Sequence, residues 1–140
     1  MKRLLLSSLL AAGLLAAPQT LAQTPERIAV QLNTSESAGE ACRLTFVIQN
    51  SRTEPVNKLG LDLVMFDKSD GVSGYAAVDF GALPAGKTIV RQYDVGKGGC
   101  DTISRVLLNE IRACEIGGAQ DGDCLSKLEI SSRSEIDFIL

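Results

Sequence analysis

Cys42, Cys100, Cys114 and Cys124 are the residues of this 140-residue chain best suited to chemistry, and their spacing narrows what that chemistry is. No pair has the Cys-x-x-Cys spacing of a redox motif or of a zinc knuckle, and the chain has no histidine to complete a zinc site. An even count of cysteines in an oxidising compartment reads instead as two disulfides. Four cysteines allow three pairings, and sequence alone does not choose among them. Cys42 with Cys100 and Cys114 with Cys124 is favoured, because Gly117, Gly118, Asp121 and Gly122 make the shorter loop easy to close. Each bridge is worth about 2–4 kcal/mol, the longer loop more.

The absence of histidine also removes the commonest general base and both the Ser-His-Asp and Cys-His nucleophile pairs. A carboxylate pair remains open only if folding brings two acids together. Asp79, Asp94 and Arg91 are the polar residues to inspect for such a cluster, the plainer reading being solvated strand faces or an ordinary salt bridge. Asp67-Lys68-Ser69-Asp70-Gly71 and Asp121-Gly122-Asp123 have the acids and glycine of a calcium loop. The first offers only the spacing Asp-x-x-Asp-Gly where the calcium loop wants Asp-x-Asp-x-Asp-Gly, so it reads as a hairpin turn, and the second, open to the same two readings, is read the same way. Copper handling wants Met and His, and only Met1 and Met65 are present. No cofactor and no metal are expected, and an enzyme is not.

The chain that must position these residues begins with a leader. Lys2 and Arg3 precede an apolar stretch from Leu4 to Ala17, and Pro18 to Ala22 ends it on a small residue. This is the layout of a cleavable signal peptide over residues 1–22, with cleavage near Ala22. The apolar stretch reaches only about 21 Å, short of a ~30 Å hydrocarbon core. A lipid anchor needs a cysteine directly after the cleavage point, and the first is Cys42. A twin-arginine signal needs an arginine pair, whereas Lys2-Arg3 stands here, so the general secretory route is expected. The mature chain would then lie in the periplasm or be secreted, with no membrane span. Of 14 basic residues 12 remain without Lys2 and Arg3, against 17 acidic, a net of −5. No basic field remains to attract nucleic acid.

Residues 23–140 read as one domain of short strands parted by turn residues. Period-2 alternation marks Glu26 to Leu32, Cys42 to Asn50, Leu59 to Phe66 and Thr88 to Val95, with a less regular strand from Val72 to Phe80. Asn33 to Glu40 is polar and reads as flexible. Leu83-Pro84-Ala85-Gly86 is a tight connection. Ile103 to Cys114 has two readings, a helix on the spacing of Ile103, Val106, Leu107, Glu110, Ile111 and Cys114, or strand, and strand is favoured. Lys127 to Ser132 and Ile136 to Leu140 read as closing strands. About seven strands at spacings of ~10 residues predict an all-β, immunoglobulin-like sandwich, bonded by disulfides, rather than an α/β fold.

Two stretches resemble known families. Phe46-Val47-Ile48-Gln49-Asn50, Leu61 to Asp67, Gly71 and Leu83-Pro84-Ala85-Gly86-Lys87 resemble the bacterial FxLYD-type immunoglobulin-like modules. In that resemblance Asn50 closes a strand and Phe66-Asp67 stands at the aromatic-Asp position before a turn. Cys42 to Phe46, Asp79 to Gly86, Val90 to Asp94, Arg105 to Asn109 and the spaced cysteines are similar to a group of exported alphaproteobacterial proteins, often labelled as carrying a twin-arginine pathway signal. That resemblance implies an envelope location and brings no activity and no catalytic residue. The leading expectation is a non-catalytic interaction module that binds an envelope protein through an exposed strand edge. The alternative is a small-ligand or metal carrier of the envelope.

Overall fold

The computed structural model describes residues 17–23 and 25–140. The expected leader lies largely outside the described residues, and 17–23 are exposed and without regular structure. The described residues form nine strands: β1 (Ile28–Ala38), β2 (Ala41–Asn50), β3 (Val56–Phe66), β4 (Val72–Asp79), β5 (Thr88–Val95), β6 (Arg105–Ile116), β7 (Ala119–Gln120), β8 (Leu128–Ser132) and β9 (Asp137–Ile139). A single-turn helix, α1 (Cys124–Lys127), precedes β8. The closing strand expected over Ile136 to Leu140 is β9, and the two-residue β7 is the strand that the sequence pattern did not mark.

One sheet has the order β5-β2-β1-β8, and the other β4-β3-β6-β7 with β9 also against β6. The sheets pack face to face as a β-sandwich, and β1-β2-β5 against β4-β3-β6 is the strand order of an immunoglobulin-like fold. Strand β8 is an addition that pairs parallel to β1, from Ile28 opposite Leu128 to Leu32 opposite Ser132. Among the described residues, no helix is long and apolar enough to cross a membrane.

The inward faces follow the period-2 pattern. Ile28, Val30 and Leu32 of β1 and Cys42, Leu44, Phe46 and Ile48 of β2 are fully buried against Leu59, Leu61 and Leu63 of β3. Phe46 sits at the centre, with its ring edge-to-face with Phe80, Tyr93 and Phe138 at centroid distances of 5.6, 6.2 and 5.7 Å. In a chain with four Phe, two Tyr and no Trp, this cluster collects most of the aromatic area.

Two sequence expectations are corrected. The polar run from Asn33 is not a flexible loop, because β1 continues to Ala38 and turns back at Gly39, whose φ of 59° suits the tight turn. A bulge between Leu32 and Thr34 leaves Asn33 unpaired and swaps the faces. Ser35 and Ser37 therefore lie opposite the inward Leu44 and Cys42. Their hydroxyls are used: Ser37 Oγ accepts from Cys100 N–H at 3.0 Å, and Ser35 Oγ meets Ser134 Oγ at 2.6 Å.

The second correction concerns Asp121-Gly122-Asp123, which leads into α1 instead of closing a hairpin. The hairpin lies earlier, at Gly117-Gly118 between β6 and β7. The strand favoured for Ile103 to Cys114 is present as β6, and its helix-like spacing has a physical cause. This strand is continuous, but Asn109 and Arg112 have no partner in its register with β3. Each bulge shifts the inward face by one residue, so Leu108, Ile111 and Cys114 all turn to the core at intervals of three. Two bulges in a strand thus imitate a helical period.

Candidate functional site

Disulfides join Cys42 to Cys100 and Cys114 to Cys124. The first ties β2 to the turn after β5, and the second ties β6 to α1. No cysteine is free among the described residues, so thiol chemistry has no carrier there.

The acidic candidates do not converge. Asp94 forms a forked pair with Arg43, at 2.7 Å from Nε and 2.9 Å from Nη2. That hydrogen bond holds the Asp94 carboxyl below the usual carboxylate range and raises Arg43 above its ordinary value. Asp79 caps a turn by accepting from Gly81 N–H at 2.8 Å. Arg91 donates to its neighbour's carbonyl, Val90 O, at 3.1 Å. The three residues Asp79, Asp94 and Arg91 are engaged separately, as the plainer reading expects.

The two acidic loops are likewise occupied by their own turns. Asp67 Oδ1 accepts from the N–H groups of Ser69 (2.8 Å) and Gly71 (3.0 Å), which closes the β3–β4 hairpin. Asp70 pairs with Arg105, whose guanidinium lies 4.2 Å from the centroid of the Phe66 ring. Asp121 pairs with Lys127 and also accepts from Asp123 N–H at 2.8 Å, and these bonds hold its carboxyl below the usual range. Among the described residues no group of three acids or cysteines is arranged to hold a metal ion. Arg52, with its side chain only 10 % exposed, joins Glu26 and Glu54 and fastens the β2–β3 loop to the segment before β1.

What the fold leaves open is a strand edge. The β-sandwich has β4 and β5 on one side and β8, β7 and β9 on the other. Most edges are guarded: β7 has two residues and β9 three, β8 carries Glu129, and β5 carries Arg91 and Asp94. Strand β4 is different, since Val72 to Val78 includes no charge and no proline. Phe80 N–H donates to Leu59 O at 2.8 Å, continuing the ladder that pairs Gly60 with Asp79. Antiparallel pairs alternate, so the amide groups of Tyr75 and Ala77 point away from β3 into open space. The Asp79 carbonyl also points that way and accepts from the Tyr93 hydroxyl of β5 at 2.6 Å.

The side chains beside this edge are apolar. On the outer face of the second sheet Tyr75 stands opposite Val64, Val64 opposite Leu107, and Leu107 opposite Ile139. This row crosses four strands and ends on two exposed residues, Tyr75 at 77 % and Ile139 at 38 %. A groove of about 410 Å³ runs along the edge between Met65, Ser73, Gly74, Tyr75, Gly96 and Lys97. A second hollow of about 310 Å³ lies on the outer face under Tyr75. Sequence reading identified the β4 strand and missed Tyr75 and Lys97. The available signal was the uncharged run Val72 to Val78, in a strand whose one charge is its last residue, Asp79.

Comparison with known proteins adds no relative to this geometry: no family model matches the chain, and neither a curated protein nor a solved structure matches it.

Proposed function

We propose that this chain is a non-catalytic interaction module, exported to the periplasm or beyond, that binds a protein partner by adding a strand to β4. The observation that carries this reading is the β4 edge, uncharged from Val72 to Val78, with the outward amides of Tyr75 and Ala77 beside an apolar row. Such an edge is a liability in a monomer and a template for a partner. Export is supported by the leader pattern of residues 1–22, by two disulfides of a kind that persist outside the cytoplasm, and by the resemblance to exported proteins. An exported protein fits an envelope partner.

Cross-linking in intact cells with the wild-type chain as bait, followed by identification of what is retained, tests the reading. Retention of the same envelope protein by wild type, and its loss with Tyr75→Lys, is the expected result. If nothing is retained, or retention survives Tyr75→Lys, the β4 docking reading is overturned. Mass spectrometry of the exported protein checks the leader, with the expected loss of about the first 22 residues.

A further inference from the structure

Resting on that reading of β4, we infer that one occupant of the edge is a second copy of this chain, paired antiparallel about a two-fold axis at Ala76. The two five-stranded sheets then become one continuous sheet. The inference starts from the free groups. With the amides of Tyr75, Ala77 and Asp79 directed away from β3, and Ser73 in the bulge that ends this regular run, a self-pairing that joins free groups to free groups is centred on Tyr75, Ala76 or Ala77.

The side chains choose among the three. Centring on Tyr75 sets two tyrosine rings directly opposite each other at the axis. Centring on Ala77 sets Tyr75 opposite Asp79 of the second copy, an aromatic ring against a carboxylate, on both sides of the axis. Centring on Ala76 sets Tyr75 opposite Ala77 of the second copy and the reverse, large against small on both sides of the axis. Those two positions exchange backbone hydrogen bonds in both directions, and Tyr75 loses its exposure.

Charge agrees with the same register. It brings Asp79 of the second copy opposite Ser73, a residue that borders the edge groove together with Lys97. Lys97 and Asp79 are in no ion pair among the described residues. The two-fold operation forms the Lys97–Asp79 pairing twice. No like charges are brought opposite, because Val72 to Val78 has none and Asp79 meets Ser73.

Sedimentation equilibrium on the exported chain, with both disulfides formed, is the test. The expected result is a monomer–dimer equilibrium in the micromolar range. Ala77→Pro removes an outward N–H without touching the β3 ladder and is expected to give a monomer with an unchanged circular dichroism spectrum. Tyr75→Lys, on the exposed face, is the second blocking variant and is expected to do the same. Lys97→Glu and Asp79→Lys are each expected to weaken the dimer about three- to tenfold, and the double variant to restore it. A chain that stays monomeric throughout overturns the inference, as does a dimer that survives both blocking variants. A monomer that still captures an envelope protein in a Tyr75-dependent way overturns the second copy alone and leaves the β4 docking reading standing.

Discussion

The Asn50 side-chain amide donates to the Leu83 carbonyl at 3.0 Å and so locks the end of β2 to the turn that brings the chain into β5. Asn50 is fully buried, and it also donates to Glu54 O at 3.0 Å while its Oδ1 accepts from Arg52 N–H at 3.1 Å. The same turn is completed by Gly86, whose φ of 70° a side chain tolerates poorly. Asn50→Ala removes one of the two donors to the Leu83 carbonyl, which keeps Val56 N–H at 2.9 Å, deprives Arg52 N–H of its acceptor and leaves a buried gap, and is expected to cost about 1–3 kcal/mol in urea unfolding. Asn50→Asp is expected to cost at least as much at neutral pH, because it points an acceptor at carbonyls. A change under about 0.5 kcal/mol in both variants would show that water replaces the amide.

Much of this fold was legible where one rule governed a segment. Cys42, Leu44, Phe46 and Ile48 alternate without interruption, and the strand they mark is buried as the alternation requires. Legibility failed at the bulges. Beyond Leu32 the inward positions are serines, whose partners Cys100 and Ser134 are distant in sequence, so no local pattern revealed that Asn33 to Ala38 pairs. Asn109 and Arg112 gave the β6 segment a helical spacing beside the strand reading that was favoured, again because bulges break the alternation. The β4 edge was hidden differently: alternation finds strands but does not say which of them lacks a neighbour, and that depends on sheet order.

The two disulfides are expected to contribute unequally. Cys42–Cys100 spans 58 residues and Cys114–Cys124 spans 10. In the chain-entropy picture the long bridge restricts the unfolded chain by about 4 kcal/mol and the short one by about 3. Paired alanine replacements compared by thermal unfolding check this. Cys42→Ala with Cys100→Ala should be the less stable variant. The opposite order would mean that the loop after β6 depends on its bridge for structure, beyond the entropy of the unfolded chain.

Acid should destabilise the fold through two carboxylates. Asp94 is held below the usual range by its hydrogen bond from Arg43, and Asp121 by those from Lys127 and Asp123 N–H. Because the folded values lie below the unfolded ones, the stabilisation is complete above about pH 4. It is lost as pH falls through the folded values. The Asp94 side chain is 47 % exposed and that of Asp121 20 %, so solvent screens both pairs, the second less, and each effect is modest. Urea midpoints measured from neutral pH downward should fall less steeply in Asp94→Asn and Asp121→Asn than in the wild type. Identical slopes would place the acid sensitivity elsewhere.

Tyr93 should produce the opposite limb. Its ring packs edge-to-face with Phe80 at 5.7 Å, and its hydroxyl donates to Asp79 O at 2.6 Å, closing one end of the open side between β4 and β5. Burial raises its ionisation above the ordinary tyrosine value. The neutral phenol is therefore favoured by folding: its contribution is whole below about pH 10 and is lost as pH rises through the folded value. A phenolate cannot donate, so the Asp79 carbonyl loses this partner when Tyr93 ionises. Tyr93→Phe keeps the ring and loses the bond, which predicts a cost of about 1 kcal/mol at neutral pH and a flatter alkaline decline. Because the chain has only two tyrosines, the difference in phenolate absorbance between wild type and Tyr93→Phe isolates this titration. A Tyr93 titration at or below the value in the unfolded chain would contradict its burial and detach this end of β4 from β5.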